Sequence, residues 1–291
     1  MSIIQALLLG VLQGITEFLP VSSSGHLAIA ENLFKINTSG GLLFETFLHL
    51  GTTLAVIIIY RKDFVNLITA FIRMVIDIIG NIRIFFADRK NGGSEPYNKI
   101  IDTAYKKFVV LIIVTCIPTA IIGLILSNVI EKASETLFVP GVCLLITAII
   151  LLLSERAPEG TKKVKKTGYK DALLIGVAQG FAAFPGISRS GTTITAGLML
   201  GLDRSFAVKY SLLASLPAIL GANLLELRHL GDAAGSAGAG AYICGFIAAA
   251  VVGYIFIRLV INLVKSNKFK YFAYYCAAVG IVCLIVYFVR G

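Results

Sequence analysis

The sequence contains no tryptophan, three histidines and only 16 acidic residues among 291. Charged side chains make up 14% of it, against about 25% in an average soluble chain. That scarcity excludes an ordinary soluble domain. With 57% hydrophobic residues and a mean hydropathy of +0.87 the chain reads instead as an integral membrane protein. The five cysteines (Cys116, Cys143, Cys244, Cys276 and Cys283) are odd in number, unevenly spaced and set inside apolar stretches. This excludes a disulfide framework or a zinc site. The N-terminus lacks the basic region of a cleaved signal and a small-residue cleavage site, so it is expected to stay in the mature protein. Basic residues are not scarce, and the formal charge is +10. Most of them stand in short loops between apolar runs rather than along one amphipathic face. Cytoplasmic loops of a membrane protein explain them, and nucleic acid is not an expected partner.

Six stretches are apolar over about the 20 residues that a spanning helix needs: 42–60, 108–128, 138–154, 205–225, 239–261 and 271–289. Residues 3–35 do not fit that description, because a polar break from Pro20 to His26 separates two stretches too short to cross alone. The same holds for 170–201. Both are expected to be re-entrant helical hairpins facing inward, since irregular backbone at membrane depth must line a cavity or lie buried in protein. The 61–107 and 155–170 segments, rich in lysine and arginine, are expected inside the cell, and the 129–137 and 229–240 loops outside. Residues 64–86 carry Asn66, Arg73, Asp77 and Arg83 beside an apolar stripe, the pattern of an amphipathic helix on the cytoplasmic surface rather than a seventh span.

The two hairpins are copies of one motif. With Ala172 aligned to Ala6, ALLLGVLQGITEFLPVSSSG and ALLIGVAQGFAAFPGISRSG match without a gap. Gln13, Gly14, Phe18, Ser22, Ser24 and Gly25 meet Gln179, Gly180, Phe184, Ser188, Ser190 and Gly191. The unequal pairs carry the chemistry: Glu17 faces Ala183, Ser23 faces Arg189 and His26 faces Thr192. The expected fold is therefore an all-α polytopic membrane protein forming a single transmembrane domain. It is an inverted-topology repeat in which each half is one re-entrant hairpin plus three transmembrane helices. Repeat one covers about 1–155 and repeat two about 170–291. Such a layout places a site where the halves meet.

In each copy the serines and glycine precede a new helical run, so hydroxyls and backbone N–H groups gather at a helix N-terminus, which favours anions. Arg189 adds a planar fork suited to phosphate oxygens and is expected to pair with Glu17 in the empty protein. Taken singly, each serine reads equally as an N-cap. A carboxylate at a bilayer centre costs about 2.5 to 3.5 kcal/mol unless paired or solvated. Glu17 is therefore a structural ion pair, a ligand for a divalent cation bridging phosphate oxygens, or a base. His26 is an acid, base or nucleophile, or a satisfied core histidine. Glu45 and His49 lie four residues apart and share a face that points either to the same cavity or to the outer interface.

At these residues the chain resembles the undecaprenyl-diphosphate phosphatase family, bacterial membrane enzymes associated with bacitracin resistance. The first motif is carried by Gln13, Glu17, Pro20, Ser22, Ser23, Ser24, Gly25 and His26, the second by Pro185, Gly186, Ser188, Arg189, Ser190, Gly191 and Thr193. The resemblance implies removal of the terminal phosphate of a polyprenyl diphosphate at the outer face of the cytoplasmic membrane, with magnesium or calcium at Glu17. Glu17, Ser23, His26 and Arg189 are the implied catalytic residues. Gln13, Ser22, Ser24, Gly25, Ser188, Ser190, Gly191 and Thr193 are the implied substrate-binding ones. The partners expected are the lipid substrate and membrane lipid, with a homo-oligomer left open. Inverted repeats and broken helices alone would equally suit a secondary transporter or lipid flippase.

Overall fold

A computed structural model of the chain describes residues 1–34, 41–91, 95–134, 136–226, 239–266 and 268–290. These form eleven α-helices: α1 (Ile3–Thr16), α2 (Ser23–Phe34), α3 (Gly41–Ile59), α4 (Arg61–Asn91), α5 (Ala104–Ser134), α6 (Phe138–Glu155), α7 (Tyr169–Phe181), α8 (Arg189–Met199), α9 (Arg204–Glu226), α10 (Ala239–Lys265) and α11 (Phe269–Arg290). No strand is present among the described residues. The polytopic, all-helical class follows from the long apolar runs. In hydrocarbon a helix satisfies its own backbone hydrogen bonds, and the outward faces carry exposed Leu8, Ile125, Val251 and Phe288 instead of charge.

Among the described residues six helices are long and apolar enough to cross a membrane, five of them at expected spans. The 18-residue helix Phe138–Glu155 and the helices within 104–133, 204–224, 239–265 and 269–289 match expected spans. The remaining expected span, 42–60, is the 19-residue α3, Gly41–Ile59, whose apolar run includes Leu43–Ile59. The further candidate, residues 61–90, takes in the stretch expected as an amphipathic surface helix. Arg73 and Asp77 dilute the apolar character of α4 without removing it, and its best window retains a mean hydropathy of 1.6. Helix α5 overruns its expected 108–128 at both ends because nothing there stops a helix. Its internal Pro118 is tolerated beside Thr119, whose hydroxyl donates to the Thr115 and Gly176 carbonyls, 2.9 Å from each. The 229–240 loop lies largely outside the described residues.

Helix packing interleaves the two motif copies. α1 packs on α10 and α7 on α5, while α10 also packs on α3 and α5 on α9. Small residues allow these approaches. A Cβ on Gly10 would stand 2.9 Å from Cβ of Ala248, and one on the matching Gly176 2.7 Å from Cγ of Pro118. Around this frame a large buried cluster gathers Leu111, Leu144, Leu151, Ile194, Leu198 and Tyr210. A smaller one under α1 and α2 holds Leu9, Leu27, Phe44 and Leu48.

Candidate active site

The breaks between α1 and α2 and between α7 and α8 meet backbone to backbone. A Cβ on Gly25 would lie 2.9 Å from Cα of Gly186, so only glycine allows this approach. Gly186 has φ of 98°, a left-handed conformation that an L side chain resists. Ser22 also takes a positive φ, 69°, and its hydroxyl accepts from Gly186 N at 3.1 Å and Gly25 N at 3.3 Å. Thr147 of α6 holds the second loop, donating to the Gly186 carbonyl at 2.8 Å and accepting from Ser188 N at 3.0 Å.

Both second helices start alike. Ser188 Oγ accepts from Gly191 N at 3.0 Å, as Ser22 Oγ does from Gly25 N. Ser188 and Ser190 hydroxyls lie 3.3 Å apart, Ser22 and Ser24 hydroxyls 3.4 Å apart. His26 N bonds the Ser22 carbonyl as Thr192 N bonds that of Ser188. Ser22 and Ser188 therefore act as caps, with Ser23 the first residue of α2 and Arg189 the first of α8. The unequal pair Ser23 and Arg189 thus stands at corresponding helix starts.

Glu17 is the hub of the site and is 5% exposed. Its Oε1 pairs with the Arg189 guanidinium across the two loops. Its Oε2 accepts from Ser23 Oγ at 2.6 Å and from Gln13 Nε2 at 3.0 Å. The pairing offsets the cost of burying a lone carboxylate. Gln13 Nε2 is also 3.0 Å from Nδ1 of His49, on α3, and that nitrogen is 3.5 Å from Glu17 Oε2. Nδ1 accepts from the Gln13 amide when the ring proton sits on Nε2, and faces Glu17 Oε2 when it carries the proton itself. No hydrogen bond from Nε2 is found among the described residues. The side chains of His49 and Arg189 are 24% and 22% exposed, so they mark the mouth of an otherwise buried cluster.

Other expected site residues are placed differently. No hydrogen bond links His26 to Glu17, Ser23 or Arg189. Its Nδ1 lies 2.8 Å from the Ser22 carbonyl, to which it donates, leaving Nε2 to accept from the Tyr275 hydroxyl at 2.8 Å. The Tyr275 ring stacks on the imidazole with centroids 5.6 Å apart. Thr193 turns away, its hydroxyl bonded to the Arg189 carbonyl at 2.8 Å and to Ser211 Oγ at 2.6 Å. Gln179 donates to Thr119 Oγ1 at 3.2 Å, and among the described residues no hydrogen bond joins it to Glu17. Tyr275 and Thr147 were not singled out from sequence. Each is one more tyrosine or threonine in an apolar run, and its partner lies more than thirty positions away.

Known proteins resemble this chain over nearly its full length. The sequence profile of the family described as "Bacitracin resistance protein BacA" matches residues 6–282. A protein named undecaprenyl-diphosphatase from Methanosphaera stadtmanae is 42% identical over 287 residues, 98% of each chain. One of the same name from Methanobrevibacter smithii is 39% identical over 283 residues, covering 97% of this chain and 96% of that one. Another, from Desulforapulum autotrophicum, is 40% identical over 289 residues, covering 99% and 100%.

Proposed function

The chain belongs to the bacitracin resistance protein BacA family, and from that premise we propose that it hydrolyses undecaprenyl diphosphate to undecaprenyl phosphate and inorganic phosphate. The observation that carries this reading is the junction of the two loops. A guanidinium from one and a serine hydroxyl from the other meet on a single carboxylate, with two helix starts beside them. Phosphoryl transfer asks for positioning and charge neutralisation, which this set supplies. Ser23 Oγ attacks the terminal phosphorus and gives its proton to Glu17 Oε2. The bond to the bridging oxygen breaks, and undecaprenyl phosphate leaves with the electron pair. Glu17 releases that proton to solvent; water then attacks the phosphoserine, losing a proton to Glu17, which passes it to the departing Ser23 oxygen, and phosphate leaves. Arg189 swings from Glu17 to the phosphate oxygens as substrate enters. His26 positions the first turn of α2 through Ser22. Release of phosphate from the C55 diphosphate by purified protein, with a phosphoenzyme trapped in the wild type and missing in Ser23→Ala, tests this scheme. Lipid transport without hydrolysis would favour a flippase.

A divalent cation, magnesium or calcium, fits as an ion carried in with the diphosphate. Among the described residues no cluster of three His, Cys, Asp or Glu could cage one, but Gln13 Oε1 is buried without a partner on the side chain that bonds Glu17. Magnesium commonly binds through one or two carboxylates plus phosphate oxygens and water. Glu17 and Gln13 Oε1 would hold it, and when bound it neutralises phosphate charge.

With its proton on Nε2, His49 is a further donor to the diphosphate. Glutamine places an N–H near the same point, asparagine does not. A hydrogen bond to a charged group contributes about 1.5 to 3 kcal/mol. His49→Asn is therefore expected to raise KM at least about tenfold with a smaller change in kcat, and His49→Gln to raise it less. Steady-state phosphate release measures both, and equal KM values for the two variants would remove this contact.

The inverted repeat is supported by the matching serine caps and by the exchange of helix pairs, α1 on α10 and α7 on α5. Its sidedness rests on charge: Lys162, Lys163, Lys165 and Lys166 mark the inner face, and the site opens outward. In a cysteine-free background, cysteines at exposed Lys132 and Lys163 should react with an impermeant thiol reagent from outside and inside respectively. Labelling of both from one side would reverse the scheme.

A further inference from the structure

At the elbow between α3 and α4 a cleft of about 330 Å³ is lined by Ile58, Ile59, Tyr60, Arg61, Lys62, Asp63, Tyr254 and Arg258. Its charges do not cancel. Asp63, the one acid among them, is already held by Lys209 at 2.9 Å and by the Tyr105 hydroxyl at 3.1 Å. Among the described residues no carboxylate pairs with Arg61, Lys62 or Arg258. Arg258 is placed over the Tyr254 ring, 4.6 Å from its centroid, and Lys209 over Tyr60 at 5.9 Å. Three uncompensated cations thus line a cleft whose walls are aliphatic and aromatic. Helix α4, which starts at Arg61, carries exposed Ile68, Ile72, Ile76, Ile79 and Phe86 along one side, with no protein cover among the described residues. A ligand suited to both must bring negative charge at the elbow and apolar chain beside it.

We propose that this cleft binds the headgroup of an anionic phospholipid, its phosphate on Arg61, Lys62 and Arg258 and its acyl chains against α4. The site is separate from the Glu17 cluster and does not depend on the hydrolytic reading. It serves to anchor the elbow at the membrane surface. Free phosphate shares the charge but not the apolar chains, and this difference separates the two.

The absence of tryptophan supplies the reporter. Ile58 is 44% exposed at the rim of the cleft, so Ile58→Trp introduces a single emitter with little loss of packing. The full chain carrying it is reconstituted in phosphatidylcholine vesicles containing brominated phosphatidylglycerol or, separately, brominated phosphatidylcholine, and phosphate release confirms folding. Brominated phosphatidylglycerol is expected to quench with at least about fivefold higher apparent affinity. That preference should vanish in Ile58→Trp with Arg61→Gln and Arg258→Gln, and persist in the Arg61→Lys, Arg258→Lys counterpart. Equal quenching by the two lipids, or a preference that survives the glutamine pair, overturns the proposal. Recovery of emission with millimolar inorganic phosphate, at constant ionic strength, would overturn the lipid assignment and give the cleft to a free anion.

Discussion

Arg189→Lys is expected to lower turnover at least about a hundredfold and to fall within about tenfold of Arg189→Ala, although lysine keeps the charge. A transition-state donor of this kind is worth about 10² to 10³ in rate, and an arginine acting on a transferring phosphoryl group about 10³ to 10⁵. The geometry explains why charge alone does not suffice. The guanidinium spends one nitrogen on Glu17 Oε1 and has no other side-chain partner among the described residues, so its remaining N–H groups are free for phosphate oxygens. An ammonium is a single point that lacks the planar pair of donors with which a guanidinium holds two phosphate oxygens at once. Stability should separate the two variants. Removing the cation leaves a carboxylate that is 5% exposed without its charge partner, a change that commonly costs about 3 to 5 kcal/mol. Lysine restores most of that. Thermal unfolding in detergent should therefore place Arg189→Lys near wild type and Arg189→Ala well below, while phosphate release places both near the floor. Near-normal turnover in the lysine variant would reduce Arg189 to a bulk counter-charge.

The pairing of Glu17 with Arg189 was legible because the sequence repeats itself with differences. Two copies that agree at Ser22 and Ser188, Gly25 and Gly191, but differ at Ser23 and Arg189, indicate that one copy carries the cation and the other the acid. The serine caps also followed from local chemistry, since Ser and Gly at a helix start favour the same hydrogen bonds wherever they occur. Contacts across the fold left no such trace. His49 reaches Glu17 through Gln13, 36 positions away, and its spacing from Glu45 told only that the two share a face. Tyr275 on His26 lies 249 positions on, inside a run with two other tyrosines, Tyr271 and Tyr274. The inward turn of Thr193 toward Ser211 depends on where α9 packs, which no local pattern encodes.

The fold shows the same division. Phe138–Glu155, with Pro140 in its first turn and Pro158 three residues past its end, was close to expectation. Ends without a stop signal ran on, as in α5, where Lys106 at the extended end is held by Asp77 of α4 at 2.7 Å and by Asp102 at 3.0 Å. Polar residues that seemed to end a span were instead paired with another helix.

Glu17→Gln carries the other large effect, an expected loss of at least about a hundredfold, and the reason is the number of donors that converge on this carboxylate. Arg189, Ser23 and Gln13 all donate to it, and an amide can accept on one side only. Its NH2 group would face either the guanidinium or the Ser23 hydroxyl, and in neither orientation could it take the serine proton. Ser23→Ala should lose a comparable factor. If the two act as one unit, the double variant will be no more than a few-fold slower than the slower single variant, because residues that share a step are strongly non-additive. Losses that multiply would mean that Glu17 and Ser23 serve separate steps, and the carboxylate would then belong with the cation and the phosphate rather than with the serine proton. Single-turnover phosphate release under saturating substrate measures all four proteins on the same scale. A Glu17→Gln protein that kept near-normal turnover throughout a divalent-cation titration would leave neither role standing, and the Glu17 and Arg189 contact would be a structural ion pair between two loops.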